Sequence, residues 1–227
     1  MILDYALSDL LMFTLEVYQR LFIRLNTDAW PWQAVVVLAG LAVIPLLLQP
    51  GAPYRRGALV LMALAWAGSG AGFLMTYFAP INWPAQPAGV AFLIQAGLIL
   101  LLACSRFVPA GLSLQGREGR SFVNLWLFVL LLMPWMSALD AGAWRAVALF
   151  GMTPDITALG WVVFSLRVAR PVRWLLLIIP LLWCLFSLLT LWELGASLML
   201  LVPLSGLLAG LLALFAGTSP GPGARGE

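Results

Sequence analysis

The chain has 227 residues, 63% hydrophobic and 9% charged, with a formal net charge of +3. Soluble domains run at about 25% charged residues, so these proportions exclude an ordinary water-soluble fold and make lipid the expected solvent. Histidine is absent and every basic side chain is arginine, which excludes lysine Schiff-base chemistry and the usual haem and zinc ligation.

In lipid every backbone N–H and C=O must be paired internally, by helices or by a closed barrel. The apolar runs here are long, Leu/Ala-rich and without period-2 alternation, so they read as helices. The expected class is all-α, a polytopic transmembrane helix bundle. Residues 1–29 place Leu7, Leu10, Leu11, Leu15, Tyr18, Leu21, Phe22 and Leu25 at helical spacing, with Asp9, Glu16, Arg20, Arg24 and Asp28 between them. That pattern is amphipathic, an interfacial helix or one docked on the end of the bundle. Asp4 and Asp9 stand where a signal peptide carries positive charge, so no cleaved signal is expected.

Trp30-Pro31 opens a bundle expected over 30–217, with a first span near 33–48. The second, near 58–78, contains Gly68, Gly70 and Gly72, a small-residue face for close helix approach. The third lies near 88–104 with Gln95 inside it, and the fourth near 122–139 with Pro134 as a kink. The stretch from Asp140 to Arg167 is irregular, with Thr153-Pro154-Asp155 opening a short apolar segment. Spans near 174–191 and 194–216 follow, containing Pro180 and Pro203, and then a Gly/Pro/Ser-rich tail, 218–227, expected to be disordered.

Arginines in short loops mark the cytoplasmic side. Arg55/Arg56, Arg106/Arg117/Arg120 and Arg167/Arg170/Arg173 form three basic clusters. Placing all three inside requires residues 153–168 to cross as well, which gives seven spans with the N-terminus outside and the C-terminus inside. The alternative is six spans with 153–168 short or re-entrant. The outer side then collects Asp4, Asp9, Glu16, Asp28, Asp140, Asp155 and Glu193 and is net acidic. The sixteen residues 153–168 rise about 24 Å at 1.5 Å each, against a hydrocarbon core of about 30 Å. Thr153-Pro154-Asp155 should therefore start below the outer surface, with a short helix near 143–151 above it.

Several segments resemble an uncharacterised family of bacterial multi-pass integral membrane proteins, a domain of unknown function. The likeness runs through Phe13…Tyr18…Asn26…Trp30-Pro31…Gln33, then Tyr77-Phe78…Ile81-Asn82, Phe92…Gln95, the Gly151-Met-Thr153-Pro154 turn with Gly160, and Ile179-Pro180…Trp183. It implies a six-to-seven-helix protein of the bacterial cytoplasmic membrane with loosely permease-like relatives and no established activity. Where the family has Cys-Pro after Thr-Pro, this chain has Asp155-Ile156, which puts thiol-dependent roles such as soft-metal binding in doubt.

The candidate polar site comprises Asp155, Thr153, Asp140, Arg145, Glu193, Asn82 and Gln95. Thr-Pro-Asp is a preferred helix start, with Thr as N-cap, Pro at N1 and Asp offsetting the macrodipole. It is also what a broken helix presents to a substrate cavity, with Asp155 as cation or proton ligand. Asp140, Arg145 and Glu193 read either as snorkelling interfacial groups, Arg145 paired with Asp140, or with Asn82 and Gln86 as an acidic outer vestibule. Gln95 reads as an interhelical bridge. Trp30, Trp32, Trp83, Trp135, Trp144 and Trp192 form an aromatic belt. Cys104 and Cys184 lie in separate runs and read as core packing. No phosphate loop, metal cluster or nucleophile–base pair is present, so neither enzyme, cofactor nor nucleic-acid partner is expected. The expected partners are the bilayer, a small solute or cation, and a membrane protein or second copy. The reading is a small-solute or cation permease with an acidic outer mouth, or alternatively a non-transporting accessory subunit that uses the glycine face and the amphipathic N-terminus.

Overall fold

The computed structural model describes residues 13–215; Leu7, Leu10 and Leu11 of the amphipathic pattern and the tail 218–227 lie outside them. Among the described residues the fold is all-helical, and glycine, proline and a few side-chain caps decide where helices begin and bend. Thr14 caps α1 (Leu15–Asp28) by accepting the Val17 N–H at 3.4 Å. The same hydroxyl holds the exposed Glu16 carboxyl below its ordinary value. The apolar face of α1 docks on the bundle, with Tyr18 and Phe22 each 5.1 Å, ring to ring, from Phe78 and Phe73. The chain then bends by 95° into α2 (Trp32–Leu48).

Helix α3 (Ala52–Phe78) changes character at its glycines. From Gly68 it widens to π-helical pairing, seen in the Ala79 N–H on the Leu74 carbonyl at 2.8 Å. A Cβ on Gly68 would stand 2.7 Å from the Gly151 carbonyl oxygen, and one on Gly70 would stand 2.9 Å from the Phe92 Cβ. The small-residue face is therefore used within the chain, against α4 (Ala85–Cys104) and the turn at Gly151. Next comes α5 (Arg117–Asp140), with a π-helical turn over Phe128–Leu132 just before Pro134.

The helix expected at 143–151 does not form. A single 3-10 turn, Trp144–Ala146, leads into irregular backbone at 147–149. Neighbours in space take the hydrogen bonds a helix would have kept for itself. The Asn26 side-chain amide donates to the Arg145 and Val147 carbonyls at 2.9 and 2.8 Å, Ser137 donates to the Ala146 carbonyl at 2.7 Å, and the Ala148 N–H reaches the Pro134 carbonyl at 3.1 Å. Gly151, at φ +77°, then turns the chain into α6 (Pro154–Ser165). All twelve residues of α6 are buried, although they rise only about 18 Å. The helix is sheathed by α3, α5, α7 (Arg170–Glu193) and α8 (Leu198–Phe215).

Five helices, α3, α4, α5, α7 and α8, are long and apolar enough to cross a membrane; α1 and α2 pass the same test only as one bent unit. Helix α8 starts at Leu198, four residues later than the expected 194, because Gly195 (φ +72°) breaks the chain after α7. The three basic clusters gather at one end of the bundle. Arg55 donates to the Pro109 carbonyl at 3.3 Å, Arg167 to the Ala110 carbonyl at 3.3 Å and to that of Gly111, and Arg173 to the Ala213 carbonyl at 2.8 Å. Trp30, Trp135 and Trp144 gather at the other end, around one cavity.

Candidate functional site

The site is built around the Gly151 turn. Thr157, one turn into α6, takes the Gly151 N–H on its hydroxyl at 2.9 Å and donates back to the Thr153 carbonyl at 2.7 Å. Ser69, on the π-helical part of α3, lies 2.7 Å from the Thr157 hydroxyl and 3.1 Å from the Thr153 carbonyl. Each hydroxyl has one proton. With Thr157 spending its own on Thr153, Ser69 donates at the shorter contact, and the Thr157 oxygen uses both lone pairs.

Thr153 stands at the N-cap position with extended backbone, but its hydroxyl turns back to the Leu149 carbonyl at 3.0 Å and caps nothing. The expected Thr cap is thus replaced by the Leu149 bond. Pro154 and Asp155 do open the helix as expected, and Asp155 is 6% exposed. Its Oδ1 accepts from the Trp183 indole N–H at 2.7 Å, and the Ser187 hydroxyl is a second donor, both from α7. Among the described residues no cation pairs with it. Phe22, Met133, Ser137, Ala148, Met199 and Val202 close around it, leaving a void of about 10 Å³, near the lower limit for one water.

Successive side chains of 147–149 face opposite ways. Ala148 faces the void beside Asp155, while Val147 and Leu149 line a cavity of about 580 Å³ open at the tryptophan end. Trp30, Trp135 and Trp144 wall this cavity; Asn26, Thr27, Gln33 and Arg145 supply polar atoms, and among the described residues no carboxylate lines it. Gln33 donates to the backbone and side-chain oxygens of Asn26, fixing the amide that holds 145–147.

The remaining candidates go elsewhere. Asp140 does not pair with Arg145. Its carboxylate accepts the N–H groups of Ser197, Leu198 and Met199 at 3.1, 3.2 and 3.3 Å, together with the Ser197 hydroxyl, and so caps α8 from a different helix. The Arg145 guanidinium lies 5.1 Å from the centre of the Trp144 ring. Glu193 is exposed at the end of α7. Asn82 is buried, with a side-chain amide nitrogen that has no partner among the described residues. Gln95 donates to the Leu176 carbonyl at 3.0 Å, as does the Trp161 indole at 2.9 Å. Pro180, four residues on, cannot supply the N–H that carbonyl lacks, so Gln95 bridges helices as its depth suggested. No three acidic or cysteine side chains converge among the described residues.

Ser187, Ser69 and Thr157 were invisible as site residues, because an apolar run gives no sign of which Ser or Thr faces the site, and Trp183 stood out only as part of the Ile179-Pro180…Trp183 likeness. Asn26 and Gln33 did carry a signal, as polar residues in the opening motif. No curated protein and no solved structure matches the chain. A family model does match, over residues 15–218, nearly the whole bundle described above. The chain belongs to that family, DUF6064, a family of unknown function.

Proposed function

We propose that the chain is a seven-span membrane protein, N-terminus outside, that works as a small-solute permease with Asp155 as its proton or cation site. The gathering of Arg55, Arg167 and Arg173 at one end supports the orientation, since arginine-rich loops stay cytoplasmic. A protein sheath around α6 supports a crossing shorter than the bilayer, because short helices and extended backbone are tolerated at membrane depth where protein rather than lipid surrounds them.

One observation carries the permease reading. Asp155 is a buried carboxylate at the N-terminus of a half-length helix, held only by neutral donors, with the 147–149 segment between it and an outward cavity. Ionisable groups inside membrane bundles mark ion and substrate paths, and half-helix ends mark their binding sites. The lining of the mouth, with Arg145 and, among the described residues, no carboxylate, favours a solute over a cation as the species collected from outside. The test is solute-gradient current or pH change in proteoliposomes across a solute panel. Wild type should give a signal that Asp155→Asn abolishes while remaining folded; a signal surviving both Asp155→Asn and Asp155→Ala sinks the reading.

The accessory-subunit reading has its own support. Trp183 and Ser187 both donate to Asp155, and the void beside it is nearly filled, as for a carboxylate that fastens α6 to α7. On that reading no solute gives a signal, and the protein purifies from native membranes with a stoichiometric partner.

A further inference from the structure

We infer that the cavity at the tryptophan end binds an organic anion with a flat apolar body, the carboxylate or phosphate of the ligand meeting Arg145 and its body lying among Trp30, Trp135 and Trp144. This names the solute class for the permease reading and rests on that reading for the claim that the ligand is a substrate; the binding site itself does not depend on it. At about 580 Å³ the cavity falls within the 300–1,000 Å³ range of small-molecule sites.

Counting hydrogen-bond donors leads to the anion. The Asn26 amide spends its protons on the Arg145 and Val147 carbonyls. The Gln33 amide is spent on Asn26, and the Thr27 hydroxyl donates to the Ile23 carbonyl at 2.8 Å. Besides the indole N–H groups of the tryptophans, the Arg145 guanidinium is left, and it alone of these donors is charged. It has no ion pair among the described residues, is braced on the Trp144 ring, and keeps its N–H fork open. Such a fork takes a carboxylate or phosphate in two parallel hydrogen bonds. The walls supply the rest of the recognition, since Trp30 and Trp144 are 75% and 70% exposed and have rings to cover. A cation would also find aromatic faces here, but it would meet the charge of Arg145, and among the described residues no carboxylate lines the cavity to offset it.

An anion with an apolar body could come from solution or from a lipid headgroup, and the assay separates the two. Protein in phosphatidylcholine nanodiscs is titrated with 1-naphthoate and, separately, with benzyltrimethylammonium, reading tryptophan fluorescence and saturation-transfer NMR. Saturable naphthoate binding is expected, weakened roughly 10-fold or more by Arg145→Gln, with little response to the ammonium. Only the carbonyl of residue 145 is tied to Asn26, so the variant leaves the wall of the cavity standing. In phosphatidylglycerol nanodiscs, weaker naphthoate binding identifies an anionic lipid as the competing source, and unchanged binding identifies a soluble anion; both agree with the inference. Absence of saturable binding, equal binding of the ammonium, or indifference to Arg145→Gln overturns it. Binding without flux removes the permease reading alone, whereas flux that ignores Arg145→Gln removes the anion site alone.

Discussion

Thr157→Val tests whether the turn above Asp155 is held by hydrogen bonds or by packing. Valine matches threonine in shape and nearly in helix propensity, so the change removes the hydroxyl and little else. The buried Gly151 N–H then loses its 2.9 Å acceptor, and the Ser69 hydroxyl loses its 2.7 Å partner, although it can turn to the Thr153 carbonyl at 3.1 Å. An orphaned buried donor costs about 1–3 kcal/mol and each lost bond about 1 kcal/mol net. The expected loss is roughly 2–3 kcal/mol, or roughly 4–12 °C in Tm for a chain of this length. Thr157→Ser keeps the hydroxyl and deletes one buried methyl, a cost of about 1 kcal/mol. The assay is thermal unfolding of both variants in the same detergent, followed by near-UV dichroism. If valine melts with wild type and serine melts lower, packing holds the turn and the hydrogen-bond account is wrong.

The cap on α8 and the glycine face give two further predictions. Asp140→Ala leaves the Ser197, Leu198 and Met199 N–H groups without their acceptor and should cost about 1–2 kcal/mol, while Asp140→Asn should keep much of the cap; equal melting of Ala and wild type would show that water replaces the carboxylate. Gly68→Ala drives a methyl to 2.7 Å from the Gly151 carbonyl, backbone against backbone, whereas a methyl at Gly72 meets nothing within 4 Å. Folded yield by size-exclusion fluorescence should collapse for Gly68→Ala and hold for Gly72→Ala, which gains up to about 1 kcal/mol of helix propensity; equal yields would contradict the close packing described at Gly68.

Hydropathy was enough to locate the long helices, because α3, α4, α5, α7 and α8 are uninterrupted apolar runs whose length alone sets them apart. It failed at 143–151, where the local sequence, Ala-Trp-Arg-Ala-Val-Ala-Leu-Phe-Gly, is acceptable as helix. The decision there is tertiary, made by Asn26, Ser137 and the Pro134 carbonyl, which take the backbone groups a helix would have paired. Asp140 and Arg145 looked like partners because they are opposite charges sharing the outer boundary. The Ala141-Gly142 turn, with Gly142 at φ +61°, separates them, sending the carboxylate to α8 and the guanidinium to Trp144. Gln95 shows a rule the sequence could have yielded. A proline inside an apolar helix frees the carbonyl four residues before it, so Pro180 calls for a donor at Leu176, and a lone glutamine at similar depth is the natural one.

The open guanidinium of Arg145 and the buried carboxylate of Asp155 lie on the two sides of one short segment. Arg145 begins it and presents an open cation to the cavity, while Ala148, three residues on, packs beside the Asp155 carboxylate. The stretch lies between the cavity and the buried acid, since Val147 and Leu149 face one and Ala148 the other, with α1 and α5 lining both beside it. Its anchors are few and specific: two carbonyls on Asn26, one on Ser137, and the Ala148 N–H on the carbonyl that Pro134 exposes at the kink in α5. Each anchor is a separate tertiary hydrogen bond, where a continuous helix would have paired these groups in its own ladder. The failure of the expected helix at 143–151 therefore bears directly on the functional question. The same tertiary hydrogen bonds that overrode local helix propensity set this segment as the wall between the Arg145 cavity and the Asp155 carboxylate.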